Sequence, residues 1–169
     1  MADEQTPEAA AQAQAGTEQQ FALKRIYIKD LSFEVPNGAE VFTGTANWQP
    51  KMNLDLNTSS NRLDDEHFEV SLRITLTATQ DDTTAYVAEI QQSGVFMCAN
   101  FGDNLHQVLG SVCPGILFPY AREAIDSVVT RGSFPAVMLS PINFDAFYQQ
   151  AMEKARQEAE ANSDGNTAH

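Results

Sequence analysis

The feature that most constrains the fold is a strict alternation of apolar and polar residues from Glu69 to Ala78. One set is entirely apolar: Val70, Leu72, Ile74, Leu76 and Ala78. The residues between them are charged or carry hydroxyl groups. Successive side chains of a β-strand point to opposite faces of the sheet. The pattern therefore predicts a strand with one buried face and one wet face.

Three further segments show strand patterns, and short links between successive strands favour antiparallel pairing. In the first strand, residues 21–35, two sets of side chains are predicted to point to opposite faces. One set is Ile26, Ile28, Asp30, Ser32 and Glu34, and the other is Tyr27, Lys29, Leu31 and Phe33. The second contains the alternating residues Met52, Leu54 and Leu56. The fourth, from Thr84 to about Phe96, places Tyr86, Ala88, Ile90 and Gln92 opposite Ala85, Val87, Glu89 and Gln91.

Two helical patterns follow the strands. The first is the apolar series Ala121, Ala124, Ile125, Val128 and Val129, which shares one side of a helix. We expect Pro119 in its first turn and Gly132 just beyond its end, in a left-handed conformation. The second starts at Phe144, with Asn143 as its N-cap. The sequence thus predicts an α+β fold, a four-stranded antiparallel sheet followed by two helices. Two helices cover only one sheet face, so we expect self-association.

The length of 169 residues suits one domain. Residues 1–20 are predicted to be a disordered acidic tail, residues 21–152 the domain, and residues 153–169 a helix end and a disordered tail. The formal charge of −13 disfavours nucleic acid and anionic lipid as partners and favours basic ones. We find no secretory signal and no segment for membrane insertion, so a cytoplasmic location is expected.

Residues that could carry chemistry do not form a recognisable site. Cys98, His106 and Cys113 match no common zinc spacing, and we expect two small buried thiols and a partly exposed histidine. The acidic run Asp64 to Glu66 lacks the ligand spacing of a calcium loop. The glycines are scattered singly, so no phosphate-binding loop is predicted. We therefore expect no catalytic residue, no metal site and no cofactor.

Large apolar residues in a connection are the remaining unusual feature. Val41, Phe42 and Trp48 lie between two prolines and precede the strand residues Met52, Leu54 and Leu56. Together they could line an apolar groove for extended, unfolded segments, because burial of apolar surface is non-directional. Its other wall would be formed by Ile116, Leu117, Phe118 and Tyr120. The alternative is a connection that packs onto its own core. Two other hypotheses stay open: a small-ligand-binding or thioesterase-like protein, and an assembly subunit without clients.

Long sequence motifs carry a resemblance to a known family. CPGILFPYAREAI from Cys113, LSPINFDAF from Leu139 and RIYIKDLSFEVPN from Arg25 resemble the SecB family of bacterial protein-export chaperones. The resemblance covers about residues 21–148. It implies an ATP-independent holdase that binds unfolded precursor polypeptides and delivers them to the export ATPase SecA.

The resemblance also implies particular surfaces. An acidic patch for SecA would be formed by Asp30, Glu34, Val87 and Glu89. A homotetramer, built as a dimer of dimers, would have Ala88, Ile90 and Gln92 toward its dimer–dimer contact. We expect the connection from Gly44 to Asn47 to be longer than in some relatives, and neither tail aligns well enough to carry over a contact with SecA.

Overall fold

Four antiparallel strands form one sheet. The computed structural model describes residues 18–43 and 47–164, with side chains to residue 160. The strands are β1 (Gln20–Glu34), β2 (Lys51–Arg62), β3 (His67–Gln80) and β4 (Thr83–Ala99). Their order across the sheet is β1-β4-β3-β2, and every neighbouring pair is antiparallel. The strand-rich half of the chain therefore folds as its alternating patterns predict.

The apolar face of β3 lies at the centre of the core. Val70, Leu72, Ile74, Leu76 and Ala78 have no exposed surface, whereas Arg73 on the opposite face is exposed. Tyr86, Ala88 and Ile90 on β4 pair with Ala78, Leu76 and Ile74 and continue the buried face. Burial of one face and wetting of the other follow from the period of two. We call these the helix side and the open face of the sheet.

β1 contains two irregularities that change which residues share a face. Its register against β4 shifts between Leu23 and Arg25 and again between Ile28 and Asp30. A β-bulge inserts one extra residue and reverses the alternation beyond it. The predicted face set that joins Ile28 to Asp30 is therefore wrong. Ile26, Ile28, Leu31 and Phe33 lie on the helix side, and Tyr27, Asp30, Ser32 and Glu34 lie on the open face.

A long helical segment follows β4. It starts with a 3₁₀ turn at Gly102–Asn104, continues through α2 (Leu105–Gln107) and a π-helical turn at Val108–Val112, and ends with α3 (Cys113–Arg131). The helix begins earlier than predicted, since Pro114 and not Pro119 occupies the first turn. Pro119 lies inside α3. The missing hydrogen bond is tolerated because the buried residues Leu117, Ala121 and Ile125 pack α3 onto the sheet.

The end of α3 corrects a second expectation. Gly132 has φ −73°, so it is not the left-handed residue; Ser133, with φ 68°, takes that role. The amide of Phe134 donates to the carbonyl of Val129 over 3.2 Å and closes the helix end. Glycine is needed at 132 for a steric reason, because a Cβ there would lie 2.3 Å from the ring of Phe33.

Residues 132–143 then connect α3 to α4 (Phe144–Asp164) without regular structure. Asn143 caps α4 as predicted, since its side-chain oxygen accepts the amide of Ala146 over 3.0 Å. Phe144 is buried, whereas residues 149–160 are exposed throughout. The helix extends well beyond residue 153.

A short α1 (Glu40–Thr43) precedes β2. The predicted disorder of residues 1–17 and 165–169 falls outside the described residues, and so do residues 44–46 of the connection before Trp48.

Candidate functional site

An aromatic cluster occupies one end of the helix side of the sheet. Phe134 lies at its centre, with ring centroids 5.1 Å from Phe42, 5.2 Å from Trp48 and 4.8 Å from Tyr86. Phe33 contacts both Tyr86 and Phe134. Phe134 and Tyr86 are buried, but Phe42 is 53% exposed and Trp48 is half-buried. The cluster therefore has a rigid base and an accessible aromatic surface.

The cluster combines residues from four separate parts of the chain. The sequence predicts Phe42 and Trp48 as partners, and the structure brings both onto Phe134. Phe134 itself is missed by the sequence reasoning, although its position between Ser133 and Pro135, just beyond a helix end, is an unusual place for a large apolar residue. Val41 lies nearby and also lines a cleft of about 260 Å³ whose other residues are mainly polar.

β2 extends this apolar surface. Met52, Leu54 and Leu56 pair with Ala78, Leu76 and Ile74, which places all three on the helix side of the sheet. Met52 is exposed and the two leucines are half-buried. β2 is an edge strand, and its outer edge is unpaired in the described part of the chain. An exposed edge beside apolar side chains can add a further extended segment through main-chain hydrogen bonds.

The predicted second wall of a groove is not formed as one surface. Phe118 is buried against Phe144, with centroids 5.8 Å apart, whereas Tyr120 is 50% exposed. Residues two apart on an α-helix point about 200° away from each other. Phe118 and Tyr120 therefore face different sides of α3, Leu117 points into the core, and Ile116 is half-buried. The prediction that these four residues share one wall is wrong.

The four residues of the predicted acidic patch all lie on the open face. Glu34 pairs with Val87, Ser32 with Glu89, and Asp30 with Gln91, so two neighbouring strands contribute to one area. The bulge after Ile28 is what turns Asp30 and Glu34 toward the open face. Both are exposed, and neither side chain makes an ion pair or hydrogen bond with the described side chains and backbone of residues 18–43 and 47–160. They form the uncompensated part of the patch.

Glu89 is different, because its charge is compensated. Its carboxylate forms a 2.7 Å ion pair with Arg73 and accepts a hydrogen bond from Thr75 over 3.2 Å. Arg73 also donates to Gln91 over 2.9 Å. Val87 contributes a half-buried apolar group between the charged residues. The negative field of the patch therefore comes from Asp30 and Glu34 more than from Glu89.

A second ion pair on the open face ties β1 to β3 across β4. Glu69 accepts hydrogen bonds from Lys29, over 2.8 Å, and from the hydroxyl of Tyr27. The hydrogen bond from Lys29, followed by that from Tyr27, lowers the pKa of Glu69. The hydrogen bond to Glu69, together with burial, raises the pKa of Tyr27 to about 12. The network stabilises the ionised carboxylate and the neutral phenol at once.

The residues predicted for the dimer–dimer contact lie inside the protomer. Ala88 and Ile90 have no exposed surface, and Gln92 is 3% exposed. The amide of Gln92 donates to the carbonyl of Tyr27 over 2.8 Å, at the second irregularity of β1. These side chains are covered by α3 and cannot themselves touch another protomer. They can influence an assembly only through the elements that they support.

Apolar side chains are also exposed along the start of α3 and the π-helical turn that precedes it. Val112 and Tyr120 lie eight residues apart, and the half-buried Ile116 lies midway between them, so the three form one stripe. The helix side of β1 is also incompletely covered, with large apolar side chains between 37% and 49% exposed: Phe21, Leu23, Ile28 and Leu31. Contiguous exposed apolar surface is typical of interaction sites.

The remaining candidates for chemistry are accounted for by packing. Cys98 and Cys113 lie in the core, and burial raises the pKa of both thiols, whereas His106 is exposed. Asp64 caps the β2–β3 turn by accepting the amides of Glu66 and His67. No group of three potential metal ligands occurs among the residues that the structure describes. No helix in the described part of the chain is long and apolar enough to cross a membrane.

Comparison with known proteins decides the family. The family described as "Preprotein translocase subunit SecB" matches residues 14–155. A protein-export protein SecB from Marinobacter nauticus is 54% identical over 151 residues, covering 89% of this chain and 90% of the relative. The chain belongs to the SecB family.

Two further relatives extend the match to almost the whole chain. SecB from Pseudomonas putida is 49% identical and covers 95% of this chain and 98% of its own length. SecB from Alkalilimnicola ehrlichii is 46% identical, covering 95% of this chain and 87% of its own. SecB proteins are export chaperones, which confirms the family predicted from the Cys113, Leu139 and Arg25 motifs.

A solved structure supports the same fold. A SecB-like chaperone from Mycobacterium tuberculosis, in complex with a peptide from an antitoxin, superimposes with a TM-score of 0.61. It is 15% identical and covers 80% of this chain and 97% of its own. The α+β architecture deduced from the strand and helix patterns is therefore confirmed.

Proposed function

We propose that this SecB-family chain is an ATP-independent holdase that binds unfolded precursor polypeptides and delivers them to SecA. The observation that carries the proposal is the accessible apolar surface around Trp48, which lies beside the unpaired edge of β2. Phe42 and Met52 are exposed there, although both lie on the same side of the sheet as the core. A monomeric protein gains little from such a surface unless something binds it.

Binding without sequence selectivity follows from the chemistry of this surface. Aromatic rings and the flexible Met52 side chain bury the apolar groups of many different segments, because the hydrophobic effect is non-directional. Each buried large apolar side chain contributes about 1.5–3 kcal/mol. The edge of β2 can add backbone hydrogen bonds that any extended chain provides. Retention of an unfolded client then requires no catalytic residue and no nucleotide.

Delivery to SecA is assigned to the open face. Asp30 and Glu34 hold two uncompensated carboxylates on a rigid sheet, and such an arrangement steers a cationic partner and raises its association rate. We call the apolar surface around Trp48, Phe42 and Met52 the client surface. It lies on the helix side of the sheet, and the acidic patch lies on the open face. Client and SecA can therefore bind at the same time without competing for residues.

A homotetramer in the cytoplasm completes the proposal. The stripe of Val112, Ile116 and Tyr120 at the start of α3 and the apolar helix side of β1 provide surfaces for self-association. Two surfaces are what a dimer of dimers needs. Four client surfaces on one particle would raise avidity for a long unfolded chain, because the second contact becomes intramolecular.

The client surface is tested with Trp48, the only tryptophan of the chain. Adding a permanently unfolded polypeptide without tryptophan should shift or quench its emission. Trp48→Ala should weaken binding by about 2 kcal/mol, the typical effect of removing an aromatic anchor, and should reduce suppression of aggregation. Trp48→Phe, which keeps an aromatic ring, is the matched control. A variant that loses thermal stability but binds the client normally would mean that Trp48 serves only the core.

The docking patch is tested by reversing its two uncompensated charges. Asp30→Lys/Glu34→Lys should abolish SecA binding in calorimetry and leave aggregation suppression intact. Asp55→Lys is the control, because Asp55 lies on the open face of β2, outside the patch. SecA binding by the unaltered protein should weaken as salt is raised, since a Debye length of about 8 Å screens exposed charges. Unchanged SecA affinity of the double variant would refute this assignment.

A further inference from the structure

The connection between α3 and α4 is held against α3 by a ladder of side chains. Phe118, Arg122 and Asp126 recur every four residues and so lie on one side of the helix. Phe118 contacts Phe144 at the end of the connection, and Arg122 donates to the carbonyl of Leu139 over 3.2 Å. The connection therefore runs back along the helix, antiparallel to it.

Asp126 makes the central contact of this ladder. One oxygen of its carboxylate accepts the amides of Val137 and Met138, each over 3.0 Å. Together with the bond from Arg122, these are the hydrogen bonds that hold residues 137–139 in the described part of the chain. Two side chains, one helical turn apart, thus determine the path of the middle of the connection.

That path contains a strained residue. Met138 has φ 50°, a left-handed conformation that is uncommon for a residue other than glycine, asparagine or aspartate. Its side chain is 73% exposed, so packing of the side chain does not compensate for the strain. A strained conformation persists only when its surroundings enforce it. The two hydrogen bonds to Asp126 are the interactions that enforce it here.

The start of the same connection carries Phe134, the centre of the aromatic cluster. Its ring lies 5.2 Å from that of Trp48 and 5.1 Å from that of Phe42. Burial raises the pKa of Tyr86, at the base of the cluster, and the negative charge of Asp126 raises it further. Asp126 therefore lies close to the base of the cluster. A change in the path of residues 137–139 therefore reaches the client surface through Phe134.

We propose that Asp126, assisted by Arg122, is a positioning residue for the client surface. It holds the α3–α4 connection in a strained path and thereby keeps Phe134 beneath Trp48 and Phe42. This inference depends on the proposed holdase function and adds a role for residues that do not touch the client. It explains why a carboxylate on α3 is directed at backbone amides of an irregular segment.

The test compares three variants of the full-length protein: Asp126→Ala, Asp126→Asn and Glu123→Ala. Asn keeps an oxygen that can accept both amides, whereas Ala removes the acceptor. Glu123 is an exposed acid of the same helix whose side chain makes no hydrogen bond or ion pair in the described part of the chain, so its replacement controls for the lost charge. For each variant we would measure Trp48 emission, its quenching by acrylamide, the melting temperature, and affinity for a permanently unfolded polypeptide without tryptophan.

Asp126→Ala is expected to shift Trp48 emission, increase its quenching and weaken client binding by about tenfold, as expected when hydrogen bonds to a charged group are lost. Asp126→Asn should retain most of the emission and affinity of the unaltered protein, and Glu123→Ala should match that protein. A lower melting temperature of Asp126→Ala with unchanged Trp48 emission would overturn the inference. So would an Asn variant that behaves like Ala. If the unaltered protein fails to bind the polypeptide, the holdase function itself fails instead.

Discussion

Single residues set the geometry of the aromatic cluster through steric fit. Gly132 has an ordinary negative φ, so its backbone does not require glycine. The missing side chain is what matters, because the ring of Phe33 occupies the space where a Cβ would lie. Gly115, inside α3, is the opposite case, since a Cβ there would contact Phe144 at an ordinary 3.9 Å.

Gly132→Ala should lower the free energy of unfolding by about 1–3 kcal/mol, the usual cost of overpacking. It should also alter Trp48 fluorescence, because Phe33 and Trp48 both contact Phe134. Gly115→Ala should instead stabilise the protein by about 0.5–1 kcal/mol, since alanine loses less backbone entropy in a helix. Chemical denaturation of both variants tests the pair. Equal effects of the two substitutions would show that helix propensity, not the contact with Phe33, decides the outcome at 132.

At the scale of elements, the irregular strand β1 determines which face of the sheet carries the acidic residues. Its second bulge turns Asp30 and Glu34 to the open face and leaves Ile28 and Leu31 on the helix side. Gln92 satisfies the carbonyl of Tyr27 at this irregularity, and the network of Tyr27, Lys29 and Glu69 secures β1 from the open face. The acidic patch therefore depends on a β-bulge that the alternation of residues in the sequence does not reveal.

The Glu69 network predicts a pH dependence. The pKa of Glu69 is lowered in the folded state, so its stabilising contribution is present above the unfolded pKa near 4.5 and is lost as pH falls through the folded pKa. Glu69→Gln should destabilise the protein by about 1 kcal/mol at pH 7, a typical value for a partly exposed ion pair. The difference from the unaltered protein should shrink toward pH 3. Urea denaturation at both pH values measures it, and a difference that stays constant would contradict the network.

The opposite sign applies to Tyr27. Its pKa is raised in the folded state to about 12, so its contribution is complete below the unfolded pKa near 10 and is lost only as pH rises through about 12. Tyr27→Phe should therefore be destabilised by a similar amount at pH 5 and pH 9. The difference should then shrink as pH rises from 9 toward 12, and a difference that stays constant over that range would show that the pKa of the hydroxyl is not raised on folding.

At the scale of the whole molecule, the helices cover one face of the sheet and leave apolar surface beside β1 and on α3. The stripe of Val112, Ile116 and Tyr120 is accessible, whereas Ile90 lies beneath α3 with no exposed surface. A charge introduced at Tyr120 should disturb contacts between protomers. A charge introduced at Ile90 should disturb the fold of the protomer itself.

Tyr120→Glu should reduce the particle mass measured by light scattering while circular dichroism shows a folded protomer. Ile90→Lys should instead unfold the protein, because an unpaired buried charge costs several kcal/mol. Glu123→Gln, on the same helix, is the control for Tyr120 and should leave the mass unchanged. A folded Ile90→Lys protein of reduced mass would show that Ile90 contributes directly to an interface, against its position in the structure.

The sequence by itself determined the features that arise from local periodicity. The alternation in β3, the helical stripe of α3 and the capping of α4 by Asn143 depend on neighbours a few residues away, and so do the family motifs. Only the tertiary structure decided the rest. The bulge in β1 depends on pairing with β4, and the opposite orientations of Phe118 and Tyr120 depend on where α3 begins and packs. Phe134 and Asp126 gained their roles because the α3–α4 connection folds back along α3, a path set by contacts between distant residues.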